Sequence, residues 1–241
     1  MKLYEAIHYQ ELSTYAANII ADQVRQKPNA ILGLATGSTP IGCYQELIRM
    51  HQDESLDFQG VSSFNLDEYY GLTPDNPNSY HYYMDYYFFN HININKNNTH
   101  IPDGVPEDLL AECQAYDRMA SEAGGMDVQI LGLGSTGHIA FNEPDSHFHP
   151  HTRLVKLNHE TIKANGHYFK RKGFMPKKAI SVGMRFILNS RLILLLVSSE
   201  TKAKALAKTI NGPVDPLVPA SILQLHPNVI IIADKAALSK L

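Results

Sequence analysis

The sequence predicts an α/β fold in which a doubly wound, mostly parallel β-sheet carries helices on both faces. Strand-length apolar runs recur along the chain, and near-continuous apolarity is typical of parallel strands that are buried on both faces. Segments with the helical spacing of apolar residues lie between these runs. Alternation of strands and helices through short connections favours a right-handed, doubly wound arrangement.

Six strands are predicted from apolar and β-branched residues, at 30–35, 61–66, 128–133, 179–182, 192–197 and 229–233. Four helices are predicted between and beside them, at 12–24, 40–50, 106–122 and 201–210. In the first helix, Leu12, Ala16 and Ile20 fall on one face. In the second, Pro40 suits the first helical position and the hydroxyl of Thr39 suits the N-cap.

Length and charge narrow the class of protein. A chain of 241 residues can bury one sizeable core, and neither a repeat nor a linker interrupts the alternation, so we expect a single domain over residues 1–241. The net charge of −3 gives no basic footprint for nucleic acid. The apolar run 192–197 is far shorter than the roughly 18 residues of a membrane span, so no membrane association is expected.

Two features of the sequence predict a cytoplasmic location. The first residues lack the apolar segment of a signal peptide. Cys43 and Cys113, one on each of two predicted helices, are the only cysteines and suggest free thiols in a reducing compartment.

The most informative motif is GLGSTGHIAFNEP at 132–144, which follows a predicted buried strand. His138 and Glu143 are close enough in sequence to meet around a turn, where the carboxylate would fix the imidazole tautomer and raise its basicity. A structural histidine that bonds only to backbone carbonyls remains the alternative. Open α/β sheets bind ligands at such strand ends.

Asp67 and Glu68 form a second polar strand end. Because consecutive side chains of an extended strand point to opposite faces, only one of them is expected to reach a ligand. The alternative is a solvated acidic turn.

A third strand end, Thr36-Gly37-Ser38-Thr39, precedes a predicted helix and suits an anion, since a helix N-terminus presents unpaired N–H groups and a positive dipole end. An ordinary helix start is the alternative. The turn lacks the ATP-binding P-loop pattern. The glycines at 132, 134 and 137 match the bare dinucleotide pattern, but no helix-length segment follows before Pro144.

His147, His149 and His151 alternate along the chain and would share one face of a strand. This spacing raises a zinc site as a hypothesis. Without a nearby cysteine or supporting carboxylate, a histidine-rich surface loop is the favoured interpretation, and no metal is expected.

Taken together, the motifs resemble those of the glucosamine-6-phosphate deaminase family, also called glucosamine-6-phosphate isomerases. The resemblance covers nearly the whole chain and includes LATGSTP at 34–40, NLDEY at 65–69, NSY at 78–80, GHIAFNEP at 137–144 and PASILQLHP at 219–227. The ordered combination of the second and fourth motifs is highly specific.

This resemblance implies a Rossmann-like α/β fold and conversion of glucosamine 6-phosphate and water into fructose 6-phosphate and ammonia, without metal or organic cofactor. It makes Asp67 the base that moves the C2 proton to C1, and His138, steadied by Glu143, the group that helps open the pyranose ring. It assigns phosphate binding to the turn at Thr36, Gly37, Ser38 and Thr39, together with Lys202.

Two positions depart from the family pattern. Thr136 replaces the usual Asp or Asn before Gly-His, which weakens that member of the ring-opening group. His167 replaces a phosphate-binding arginine and lacks its permanent charge and bidentate grip. A neighbouring basic residue could substitute, but specificity for another amino-sugar phosphate, such as galactosamine 6-phosphate, is equally compatible.

The activity has alternatives, and the assembly has one further expectation. A related sugar-phosphate isomerase or lactonase, and a non-catalytic sugar-phosphate sensor, remain alternative functions. Some family members carry a longer C-terminus and form hexamers activated by N-acetylglucosamine 6-phosphate. For this chain we expect a monomer or small homo-oligomer without that regulation.

Overall fold

The computed structural model describes residues 1–166, 169 and 175–241. Its strands are β1 (Lys2–Ala6), β2 (Ile31–Leu34), β3 (Ser62–Asn65), β4 (Asp67–Tyr69), β5 (Thr99–His100), β6 (Met126–Gly132), β7 (Arg153–Lys156), β8 (Lys178–Ser181), β9 (Ser190–Val197) and β10 (Val229–Asp234). Its α-helices are α1 (Tyr9–Gln26), α2 (Ile41–Glu54), α3 (Tyr80–Tyr87), α4 (Leu109–Glu122), α5 (His159–Asn165), α6 (Met184–Leu188) and α7 (Ala203–Asn211).

Seven strands form the main sheet in the order β1-β10-β9-β6-β2-β3-β5, and every neighbouring pair is parallel. Consecutive residues of β6 and β9 are buried, so both faces of the sheet are covered. Helix α1 packs on β6, β9 and β10 and against α2. The predicted parallel α/β architecture is confirmed.

The chain runs outward from β2 through β3 to β5, then returns to β6 on the other side of β2 and continues outward to β9 and β10. Connections therefore leave in opposite directions at the junction of β2 and β6. In open α/β sheets, the crevice beyond the carboxyl ends of strands at such a reversal is the usual ligand site.

The predicted strand 179–182 is confirmed as β8, but its assignment to the parallel sheet is wrong. Strand β8 lies between β4 and β7 in a separate antiparallel sheet. This sheet packs on a small apolar cluster that contains Phe141, Leu157 and Ala179. A four-residue buried run has the same pattern in either sheet, because the pattern reports burial and not the pairing partner.

The expected Thr39 cap is also wrong. Helix α2 begins at Ile41, and Pro40 is its N-cap without a side-chain cap bond. Instead, the hydroxyl of Tyr9 on α1 accepts a hydrogen bond from the amide of Gly42 (2.8 Å) and lies 3.0 Å from the carbonyl oxygen of Thr39, to which it donates. A tertiary contact thus replaces the local cap.

Both cysteines are buried and unpaired. Within the described ranges, we find no helix with the length and apolarity needed to cross a membrane.

Candidate active site

A cavity of about 240 Å³ lies beyond the carboxyl ends of β2 and β6. The cavity is lined by three glycines, Gly37, Gly132 and Gly134, and by polar residues. The polar residues are Thr36, Ser38, Thr39, Asp67, Tyr80, His138 and Lys202. A second cavity of about 380 Å³, lined mainly by tyrosines, adjoins it and shares Gly37 and Tyr80. The three predicted strand ends therefore converge on one cavity.

Asp67 is almost fully buried, with 6% of the residue exposed. Strand β4 holds it by pairing opposite Ser181 of β8. Burial raises the pKa of Asp67 well above its usual value, and the charge of Glu68 raises it further. A carboxylate with a raised pKa is a stronger proton acceptor, and its position in the cavity lets it act on a bound molecule.

Glu68 points away from the cavity, as expected for a consecutive strand residue. Its carboxylate accepts hydrogen bonds from the amides of Tyr80 (2.9 Å) and His81 (3.1 Å), at the start of α3, and lies 2.9 Å from His81 Nδ1. Both Asp67 and Glu68 are buried, so the interpretation of this segment as a solvated acidic turn is wrong. Glu68 instead anchors the helix that carries Tyr80.

His138 meets Glu143 as predicted, with Nδ1 3.2 Å from Glu143 Oε2. The hydroxyl oxygen of Thr136 lies 2.8 Å from the same Nδ1 and donates more weakly to Glu143 Oε2 at 3.4 Å. The imidazole therefore has a carboxylate and a hydroxyl beside Nδ1, rather than the backbone carbonyls of the structural alternative. The imidazole packs closely against Gly134, where an added Cβ would lie 2.1 Å from His138 Cε1.

Two residues that the sequence analysis missed hold Glu143. Asn158 Nδ2 donates to Oε2 (2.6 Å), and the Thr161 hydroxyl donates to Oε1 (2.5 Å). Burial alone would raise the pKa of Glu143, but the hydrogen bond and charge of His138, together with the hydrogen bonds of the Thr161 and Thr136 hydroxyls, lower it overall. Asn158 is also the N-cap of α5, which its residue type could have indicated, but its contact with Glu143 spans 15 positions.

The turn that follows β2 is open towards the cavity. Gly37 has φ of +93°, a conformation that favours glycine, and an added Cβ would meet no atom within 4 Å. The hydroxyl of Tyr83 donates to the Gly37 carbonyl at 2.6 Å and fixes the turn. The hydroxyl of Tyr80, which the sequence analysis placed in a family motif without a role, bonds to the side chain of Thr36.

Lys202 supplies a cation to this cavity from the start of α7, as its N-cap residue. Burial lowers its pKa, and none of the described carboxylates counteracts this effect. An ammonium group beside a turn of hydroxyl groups can bind an anion such as a phosphate. His167 lies outside the described residues.

Among the residues that the structure describes, one group of His, Cys, Asp or Glu side chains is close enough to hold a metal ion. It consists of Asp145, His147 and His149 and lies outside this cavity.

Comparison with known proteins identifies relatives of the whole chain. Residues 5–231 match the family of glucosamine-6-phosphate isomerases and 6-phosphogluconolactonases. A protein from Clostridium botulinum (strain Hall), named glucosamine-6-phosphate deaminase, is 50% identical over 100% of this chain and 99% of its own length. A protein of the same name from Halothermothrix orenii is 53% identical over 97% of each chain.

A solved structure of a monomeric glucosamine-6-phosphate deaminase is also similar. It is 47% identical, superposes with a TM-score of 0.98 and covers 100% of both chains. With the full-length relatives and the family match, this similarity shows that the chain belongs to the family of glucosamine-6-phosphate isomerases and 6-phosphogluconolactonases.

Proposed function

We propose that this protein is a glucosamine-6-phosphate deaminase, which converts glucosamine 6-phosphate and water into fructose 6-phosphate and ammonia. Relatives about half identical over their full length carry that name. The observation that carries the proposal is the convergence of a buried carboxylate, a carboxylate-supported imidazole and a lysine on one cavity.

The two ends of the cavity suit the two ends of the substrate. The turn at 36–39 and the ammonium of Lys202 would bind the phosphate, which places the sugar carbons towards β6. There His138 would move a proton from the C1 hydroxyl to the ring oxygen and open the pyranose. Glu143 would stabilise the imidazolium that forms, and Thr136 would orient the ring through its contact with Nδ1.

Asp67 would then act on the open-chain aldehyde. Its carboxylate takes the C2 proton while the C2 ammonium group gives a proton to the C1 carbonyl oxygen, so the C1–C2 enolamine forms. The protonated carboxyl then returns its proton to C1. C2 becomes an imine, water adds to it, and the C2–N bond breaks to release ammonia and the ketone. Positioned proton transfers of this kind contribute roughly 10²- to 10⁴-fold each.

We also propose that the enzyme is a monomer of the cytoplasm. The similar solved protein is described as monomeric. The two buried thiols are unpaired, which suits a reducing compartment.

The test is an assay of ammonia and fructose 6-phosphate formed from glucosamine 6-phosphate. Galactosamine 6-phosphate and 6-phosphogluconolactone are tested in parallel, and we expect the glucosamine compound to have the highest kcat/KM. Preferred turnover of another compound would contradict the assignment. Binding of glucosamine 6-phosphate without turnover would indicate a sugar-phosphate sensor instead.

A further inference from the structure

We propose that Asp145, His147 and His149 form a binding site for a Zn²⁺-like divalent cation outside the catalytic cavity. One ligand atom from each residue lies within 4.8 Å of the other two. The site is independent of the proposed deaminase reaction, because none of the three residues lines that cavity.

The distance between the Asp145 carboxylate and His149 is close to that of two ligands on one metal ion. His149 Nε2 lies 2.9 Å from Asp145 Oδ2, and the ring centroids of His147 and His149 are 4.2 Å apart. Ligand atoms of a tetrahedral zinc site with bonds of about 2.0–2.1 Å are about 3.3 Å apart. Small side-chain rotations would therefore bring all three donors onto one ion.

The backbone presents these side chains in a fixed way. The amide of Asp145 donates to the Pro216 carbonyl (3.2 Å), and the carbonyl of His149 accepts from the amide of Met184 (2.8 Å). Between them, Phe148 packs against the main core, and the rings of the histidines on either side of it lie side by side. The backbone of the segment that carries the three ligands is thus anchored at both ends.

Neighbouring groups also orient the carboxylate. The Ser146 amide and hydroxyl donate to Asp145 Oδ1 at 2.6 and 3.2 Å, which leaves Oδ2 facing His149. Metal ligands are commonly fixed by such outer hydrogen bonds. Two imidazoles and one carboxylate favour Zn²⁺, Co²⁺ or Ni²⁺ over Mg²⁺ and Ca²⁺, and solvent can supply the remaining ligand.

The structure changes the metal hypothesis that the sequence raised. His151 does not join its two neighbours, because its Nδ1 lies 3.3 Å from Asp117 Oδ2 on α4. The supporting carboxylate that the hypothesis lacked is Asp145, two positions before His147. Alternate spacing indicated which histidines share a face but not where the third donor lies.

The test is isothermal titration calorimetry of the full chain with Zn²⁺ after removal of bound metals, paired with the absorption spectrum of added Co²⁺. We expect one saturable Zn²⁺ site in the unmodified protein. His147→Ala and His149→Ala should each weaken it by at least about tenfold, since even residues that only orient metal ligands change metal affinity 10–100-fold.

Asp145→Asn should also weaken Zn²⁺ binding. His151→Ala is the matched control and should retain the Zn²⁺ affinity of the unmodified protein. Circular dichroism verifies that each variant is folded. Absence of a saturable site in the unmodified protein, or an equal loss of affinity in His151→Ala, would overturn the proposal.

Discussion

At the scale of single residues, Asp67 combines a stability cost with its proposed use as a base. Its burial raises its pKa, so ionising it at neutral pH works against the folded state. The same raised pKa strengthens it as a proton acceptor. Such conflicts between stability and activity are expected where a site needs an unfavourable environment.

We expect Asp67→Asn to reduce kcat by about 10² to 10⁴, because the amide cannot accept the C2 proton. The variant should also melt at a higher temperature than the unmodified protein at pH 8, with a smaller difference at pH 4. The folded pKa exceeds the unfolded value, so the ionised aspartate lowers stability as pH rises between those two values. Steady-state kinetics and thermal melts at both pH values check this.

Asp53→Asn is the control for that variant, because Asp53 is exposed on α2. It should change neither kcat nor the pH dependence of melting. Retained activity in Asp67→Asn would contradict its role as the base.

Thr161 offers a second residue-scale prediction, since its hydroxyl bonds to Glu143 Oε1. Thr161→Val keeps the shape of the side chain but removes a hydrogen bond to a charged group, which should lower kcat on the order of tenfold. Because that bond lowers the pKa of Glu143, its loss should move the acidic limb of the kcat profile to higher pH.

Thr99→Val is the matched control, since its hydroxyl bonds to the Lys96 carbonyl, away from the site. An unchanged pH profile in Thr161→Val would show that the contact does not tune Glu143.

Part of the site was predictable at this scale and part was not. Asp67, His138 and Glu143 stand in local motifs, and their placement near strand ends follows from the alternation of elements. Asn158 and Thr161 were missed because their contacts with Glu143 depend on where α5 packs. No local pattern encodes a contact of that kind.

At the scale of elements, the loop after β6 fixes the imidazole. An added Cβ on Gly134 would lie within about 2.1 Å of the His138 ring, which is a side chain and can move. We expect Gly134→Ala to fold but to displace the imidazole and lower kcat by about 10² or more. Kinetics and the NMR signals of the histidine rings measure both effects.

Gly166→Ala is the control, since among the residues that the structure describes its added Cβ would meet only Met175 Sδ, at 3.9 Å. If Gly134→Ala keeps full kcat, the position of His138 does not limit the reaction.

Helix α3 supplies a second element-scale prediction. Glu68→Gln removes a buried charge that accepts from the first amides of α3, so we expect a loss of about 1–3 kcal/mol of stability. Removing this charge also lowers the pKa of Asp67. The acidic limb of the pH profile of kcat should therefore move to lower pH.

Urea denaturation and the pH–rate profile measure these two effects. Glu122→Gln, at the exposed end of α4, is the control and should leave both unchanged. A shift of the profile in the opposite direction would contradict the influence of Glu68 on Asp67.

At the scale of the whole molecule, the reversal of connections between β2 and β6 creates the crevice in which the site lies. The parallel sheet was predictable because strands covered on both faces have continuous apolar sequences. The small antiparallel sheet was not, although it positions Asp67. The expected single domain over residues 1–241 stays a prediction.

We expect light scattering to give the mass of a monomer, 27.0 kDa, at micromolar concentrations with and without substrate. N-acetylglucosamine 6-phosphate should not activate the enzyme. Static light scattering and initial rates with added effector measure both properties. A hexamer that this sugar activates would contradict the expectation.

The sequence by itself determined the fold class and the three polar strand ends, and its resemblance to a known family predicted the trio of Asp67, His138 and Glu143. Only the tertiary structure decided that β8 joins β4, that Tyr9 replaces the Thr39 cap, and that Asp145 rather than His151 accompanies the paired histidines. Periodicity and local motifs record which side chains are buried or adjacent along the chain. Packing between distant segments selects their partners, because many pairings bury the same apolar surface equally well.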